Sequence, residues 1–294
     1  MEPAHRSLRA EVFDTAAGPI EAAVVGDGYP VVLLHGFPGN WRQAVPLALD
    51  LAATGRIRAV LPSRPGYGRT PGTVGRTPAE QADAWMALLD RLGHDRAAFI
   101  GISGGGPSAA AAAARCPERV TALVLCCPLA PHLMTPPPAI ARLLRMPVLP
   151  GVAVRVERAR RRRRVSSAAP AKFLRADLTP AECDLLDAGE IDPHDLLAFH
   201  WSHLDAPPPV PGMRTDLAGY AFAPSPPPDL SAVTAPTLVL HGDADSVVPL
   251  NHAEFYAEAV PGARIDVLAG AGHAFILTFR ARSSAQIAAV VTPA

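Results

Sequence analysis

The sequence predicts an α/β protein: a mostly parallel sheet with helices on both faces, interrupted by one long helical insertion. Three observations predict it. Short apolar, β-prone runs alternate with helix-like segments up to residue 127, the pattern of strand–helix–strand units. The alternation stops over residues 128–229 and resumes at Thr237. The 294 residues, 49% hydrophobic and 18% charged, suffice for one large domain with a sizeable core.

Residues 11–25 hold two β-prone runs around Gly18-Pro19, a hairpin-like opening, and Gly26-Asp27-Gly28 makes a turn. Val31 to Leu34 is continuously apolar, as a buried parallel strand should be, and His35-Gly-Phe-Pro-Gly39 follows as a loop. Helical spacing runs over 41–54 and stops at Gly55, a C-cap. A strand over 57–61 leads into the long loop Pro62 to Pro71. Thr77-Pro78-Ala79-Glu80 then supplies an N-cap, a proline at the first helical position and an acid in the first turn, and the helix runs to Leu92-Gly93. Strand 97–102, an alanine-rich helix to Arg115 and strand 120–127 complete this half.

The insertion carries three Pro-Pro-Pro runs and helix-like pieces at 139–145, 180–187 and 194–204, and is too long for a connecting loop. We read residues 1–127 and 230–294 as the two parts of one core and 128–229 as an inserted, mostly helical cap. Strand 237–240, helix 252–259, strand 264–268 and a final helix near 275–291 close the core.

Lys and Arg number 27, as do Asp and Glu, so bulk charge argues against nucleic-acid binding. The basic run over 155–164 is read as a solvated face of the insertion or a mobile segment, the latter overlapping with a role in steering an anionic substrate. No apolar run approaches the roughly 20 residues of a membrane span, and the first residues lack an apolar signal core, so a soluble, cytoplasmic protein with no membrane partner is expected. The four cysteines show no metal-type spacing and read as free thiols. His200 and His203 with Asp205 have helical metal-ligand spacing but lack a clear further ligand, so no metal is expected.

Chemistry concentrates in Gly101-Ile-Ser-Gly-Gly105, set between a strand and a helix. Glycines either side of Ser103 let strand and helix backbones close on a tight turn, whose apex presents the hydroxyl at the strand's carboxyl end. The Gly104 N–H opens the following helix and can face a developing oxyanion. A serine nucleophile needs a base and a group to orient that base. His273, in Ala269-Gly-Ala-Gly-His273 after the last strand, is placed to be the base. Asp243 and Asp245 both follow strand 237–240; Asp245 is the favoured orienting acid, with Asp243 a turn or capping residue. The loop at 35–39 offers a second oxyanion donor, the Phe37 N–H, while His35 holds that loop by hydrogen bonds.

These pieces, with Arg64-Pro-Gly-Tyr-Gly68, resemble the α/β-hydrolase superfamily over nearly the whole chain outside the insertion. The order Ser103, Asp245, His273 is that of the family. The resemblance implies a mostly parallel eight-stranded sheet, a cap inserted after the sixth strand, Asp245 rather than Asp243 as the acid, and no cofactor. Ser63 stands where an aspartate commonly precedes Arg-Pro-Gly-Tyr-Gly, implying a change in loop support. The implied function is a serine hydrolase of ester, lactone or related acyl bonds of a small, apolar substrate. Carbon–carbon bond hydrolases, acyltransferases and perhydrolase-like enzymes share the same triad, and a non-catalytic ligand-binding relative is a further alternative.

Overall fold

A computed structural model describes residues 8–133, 174–201, 210–217 and 228–292, with a few positions between 152 and 160. Eight strands form one sheet: β1 Glu11–Thr15, β2 Gly18–Val25, β3 Tyr29–Leu34, β4 Ile57–Pro62, β5 Ala97–Ile102, β6 Val120–Cys126, β7 Thr237–Gly242 and β8 Arg264–Leu268. Their order is β1-β2-β4-β3-β5-β6-β7-β8. β1 and β2 pair antiparallel, as the turn at Gly18 requires, and β2 runs antiparallel to β4. The remaining pairings are parallel. β3, β5 and β7 are buried along essentially their whole length, which is why they read as unbroken apolar runs rather than alternating ones.

The helices are α1 Val45–Ala52, α2 Pro78–Leu92, α3 Gly106–Arg115, α4 Pro180–Asp187, α5 Pro193–Trp201, α6 Val210–Leu217, α7 Asn251–Ala259, α8 Phe275–Thr278 and α9 Arg280–Val291. α2 has the expected ends: Thr77 and Glu80 form a reciprocal capping box, and Gly93 closes it at φ +76°. Two expected helices differ. The segment over 41–54 begins as a 3₁₀ turn, Trp41–Ala44, and becomes α-helical only at Val45. Pro46 has no N–H to give to the carbonyl four residues back, so the α ladder starts afresh there. The last helix is two, because Phe279 leaves the helical region at φ −105°, ψ 39°.

Two apolar cores lie on the sheet's two faces. One packs α2, α3 and α7, with Trp85, Phe99 and the α3 alanines from Ala109 to Ala113 fully buried. The other packs α1 and α9 and takes in Leu174, Leu186, Leu196 and Phe199 from the stretch between β6 and β7. Over 128–229 the described residues include the helices α4 to α6, a 3₁₀ turn at Pro131–Leu133 and helical positions between 152 and 160, and no strand. The helix expected over 139–145 lies outside the described residues, as does most of the basic run. No helix among the described residues is long and apolar enough to cross a membrane.

Candidate active site

The parallel pairing sets the carboxyl ends of β3, β5, β7 and β8 along one edge of the sheet, and the four loops leaving those ends meet there. Each loop carries one of the residues the sequence singles out.

Ser103 follows β5 directly and holds φ +52°, a left-handed conformation costly for a residue with a Cβ. The turn is this tight because its glycines allow it. A Cβ on Gly105 would stand 2.4 Å from the Leu34 carbonyl oxygen, and one on Gly101 would stand 2.7 Å from the Gly106 Cα. Ser103 is 7% exposed, with its Oγ 3.2 Å from His273 Nε2.

His273 Nδ1 lies 2.7 Å from Asp245 Oδ2, and the other carboxylate oxygen of Asp245 accepts the Val247 and Val248 N–H groups at 2.8 and 2.9 Å. Burial opposes ionisation of Asp245, but the His273 hydrogen bond and charge, with the two amides, hold its carboxyl below the usual value. Nδ1 therefore carries the proton given to Asp245, and Nε2 is left to accept from Ser103. Asp243, which we expected to serve the turn or a helix cap, instead accepts the Gly270 N–H at 2.7 Å and ties the acid loop to the histidine loop.

The loop after β3 packs against the start of α3. A Cβ on Gly104 would lie 3.3 Å from the Phe37 amide nitrogen, so the two candidate oxyanion donors are neighbours. The Gly36 N–H is already given to Gln43 Oε1 at 2.6 Å. His35 holds the loop as expected: Nε2 accepts the Arg64 N–H at 2.8 Å, which assigns the ring proton to Nδ1, 2.8 Å from the Gly36 oxygen. Burial and then the Arg64 charge push the His35 pKa well down, so the ring stays neutral.

Ser63 supports this region too, as expected. Its hydroxyl donates to Glu21 Oε2 at 2.8 Å, and Glu21 in turn accepts the Arg69 backbone and side-chain N–H groups at 3.0 and 2.8 Å. The carboxylate comes from β2 instead of from position 63.

All four cysteines are free. Cys127, at φ +40° after β6, sets its Sγ 3.6 Å from the His273 carbonyl oxygen. Its sulfur and the ligand atoms of Asp245 and His273 lie within 4.8 Å of one another. Burial, then the Asp245 charge, pushes this thiol well up, so it stays protonated beside the Asp–His pair. The side chains of His200 and Trp201, and residues His203 and Asp205, lie outside the described residues.

A cavity of about 660 Å³ opens over Ser103. Its walls include Phe37, Leu178, Phe199, Val247 and His273, so the loops at the sheet edge and the stretch between β6 and β7 both contribute. Sequence reasoning missed the residues that brace the site: Gln43, Asp216 and Glu182. Each is a buried polar side chain; Gln43 pairs with Gly36 seven residues before it, whereas Asp216 and Glu182 take partners about 90 to 150 residues away, which no local pattern marks.

The chain matches the family model described as alpha/beta hydrolase fold over residues 29–279. YcgS, an uncharacterized hydrolase of Bacillus subtilis (strain 168), is 28% identical over 286 residues, covering 95% of this chain and 96% of that protein. An alpha/beta hydrolase fold protein from Nakamurella multipartita aligns with a TM-score of 0.80 at 28% identity, covering 97% of this chain and 99% of the other. A thermophilic esterase from Thermogutta terrifontis, with malate bound, aligns with a TM-score of 0.65 at 26% identity, covering 95% and 96%. With the family match running from β3 into Phe279 and the likeness to YcgS and the Nakamurella protein spanning nearly the full length, the chain belongs to the α/β-hydrolase fold family of enzymes.

Proposed function

We propose that this enzyme is a serine hydrolase that cleaves an ester, lactone or related acyl bond of a small, apolar substrate through an acyl-enzyme. One observation carries the reading: a strained serine at the floor of a cavity, 3.2 Å from an imidazole whose other nitrogen is 2.7 Å from a buried carboxylate.

In this reading Ser103 Oγ attacks the substrate carbonyl as His273 Nε2 takes its proton. Asp245 fixes the imidazole tautomer and stabilises the imidazolium that forms. The Phe37 and Gly104 N–H groups hold the oxyanion of the tetrahedral intermediate. The intermediate collapses, His273 returns the proton to the leaving oxygen, and the acyl group stays on Ser103. Water, deprotonated by the same imidazole, then attacks the ester and frees the acid. No step needs a cofactor. Residues 128–229 serve as a cap between core parts 1–127 and 230–294: Leu178 and Phe199 put apolar surface over the serine, which favours an apolar acyl or alcohol group and limits water at the site. A small molecule is the only partner the reading requires.

The test is turnover of short acyl nitrophenyl esters with covalent labelling by a fluorophosphonate. The parent enzyme labels at Ser103 and turns over; Ser103→Ala does neither. Turnover retained in Ser103→Ala overturns the reading. An added alcohol competing with water reports whether the acyl-enzyme is passed to water or to another acceptor.

A further inference from the structure

We propose that Glu182, a residue of the inserted segment, is a positioning residue for His273: it sets the height and angle of the base over Ser103. The proposal rests on the reading of His273 as the general base.

The histidine loop is gripped residue by residue. The Gly270 N–H goes to Asp243 at 2.7 Å, the Ala271 carbonyl accepts the Ala244 N–H at 3.0 Å, and the Gly272 N–H goes to Glu182 Oε1 at 3.0 Å. The first two grips come from the loop that carries Asp245, so they fix base and acid to each other. Glu182 supplies the third, on the residue next to His273, and it comes from α4 in the insertion. The same oxygen accepts the Thr278 hydroxyl at 2.6 Å, so Glu182 holds the chain on both sides of His273.

Glu182 is itself immobilised. It is 1% exposed, and its second oxygen accepts the Thr179 N–H at 2.9 Å while the Thr179 hydroxyl accepts the Glu182 N–H at 3.2 Å. This capping box opens α4, and the Thr179 hydroxyl also donates to the Gly270 carbonyl at 2.6 Å. The fit leaves no slack: a Cβ on Gly272 would stand 2.8 Å from Glu182 Oε2. A capping-box glutamate needs only its own N-cap amide. The one here spends its other oxygen on two groups about ninety residues away in sequence, both flanking the base. The geometry therefore makes the insertion part of the catalytic frame as well as a wall of the cavity.

The experiment compares Glu182→Ala and Glu182→Gln with the parent for nitrophenyl-ester kinetics, fluorophosphonate labelling rate and melting temperature. Leu89→Ala, a buried change in α2 on the opposite face of the sheet, serves as the destabilised control. Glu182→Ala is expected to lower kcat and the labelling rate by about 10- to 100-fold with KM moved less than about threefold, the penalty of a misplaced base. Leu89→Ala, assayed well below its own melting temperature, keeps its kcat. Glu182→Gln presents one acceptor oxygen to Gly272 and Thr278 while its amide spoils the Thr179 arm. It is expected to regain at least about tenfold of the lost kcat without regaining the melting temperature. The proposal is overturned by a Glu182→Ala kcat equal to that of Leu89→Ala, by a rise in KM at constant kcat, or by Glu182→Gln no faster than Glu182→Ala. Failure of the underlying reading is seen separately, as turnover that survives Ser103→Ala.

Discussion

Arg64 and Asp216 form a two-pronged ion pair across 152 positions of sequence, at 2.8 and 2.7 Å, with both side chains almost wholly buried. Arg64 follows β4 and Asp216 lies on α6, so the pair ties the loop after β4 to the stretch between β6 and β7. The guanidinium also donates to the carbonyls of His35 and Gly36 at 2.8 and 3.2 Å, and Tyr67 gives its hydroxyl to Asp216 at 2.7 Å. α6 approaches closely enough that a Cβ on Gly212 would clash with the Tyr67 ring, 2.4 to 2.5 Å from three of its carbons.

Removing one partner of such a pair strands the other charge. Asp216→Ala is expected to cost about 3–5 kcal/mol in chemical denaturation. Replacing both, as Arg64→Met with Asp216→Ala, is expected to cost less than the sum of the singles. The double variant still loses kcat, because the His35 and Gly36 carbonyls lose the donor that sets the oxyanion loop. Additive single costs would show that the two residues do not act as a pair.

Asp245→Asn tests the other end of the relay. The amide cannot accept from Nδ1 and from the Val247 and Val248 amides in the same orientation, so the imidazole loses its fixed tautomer. kcat for a nitrophenyl ester is expected to fall about 10³- to 10⁴-fold with KM little changed. Asp243→Asn keeps an oxygen for the Gly270 N–H and is expected to lose less than about tenfold. Equal losses in the two variants would mean that the carboxylates were assigned to the wrong roles.

The parts of this site legible in the sequence were those that follow a strand. Ser103, Asp245 and the Phe37 loop each follow a short apolar run, and His273 follows β8, which carries Arg264 and Asp266; a parallel sheet brings such positions to one edge whatever the loops do. β3, β5 and β7 were legible because burial on both faces makes them continuously apolar. What the sequence hid was pairing at a distance. Locally Glu182 is the capping-box acid of α4, and its second role appears only when α4 meets the histidine loop. Asp216 has no local signal at all. The helix over 41–54 was overrun at its start because apolar spacing continues through Trp41, whereas the missing Pro46 N–H decides where the α ladder can begin.

Position 63 gives a prediction that runs against the family pattern. An aspartate commonly stands there, and here Ser63 donates to Glu21 while fully buried. Ser63→Asp would set a second carboxylate against Glu21 where a hydroxyl now gives a proton. The variant is expected to lose about 2 kcal/mol or more in urea denaturation. Adding Glu21→Gln restores a donor and removes the repulsion, so the double variant should recover most of the loss. If Ser63→Asp alone is as stable as the parent, Glu21 does not hold the place of that aspartate.

Stability should fall with pH in two separate windows. His35, His241 and His252 all have pKa values pushed below the ordinary 6.5, in each case by burial first; the Arg64 charge adds to this at His35, and the neighbouring histidines His241 and His132 add to it at His252. Below 6.5 the unfolded chain takes up protons that the folded chain refuses, so stability drops as pH falls from there toward the lowered folded-state values. Asp245 acts lower on the scale. Its carboxyl is held below the usual 3.8, so its contribution is complete above that value and is lost only as pH falls through the depressed one. Melting temperature between pH 8 and 3.5 should therefore be flat above about pH 7, slope down from about 6.5 and steepen again below about 4. His252 Nδ1 accepts the Ala130 N–H, and Gln at that position offers an oxygen without a titrating ring. His252→Gln should thus flatten the upper slope by the share of one histidine and leave the lower one intact. A profile unchanged in both windows by that substitution would show that His252 takes up its proton equally in the folded and unfolded chain.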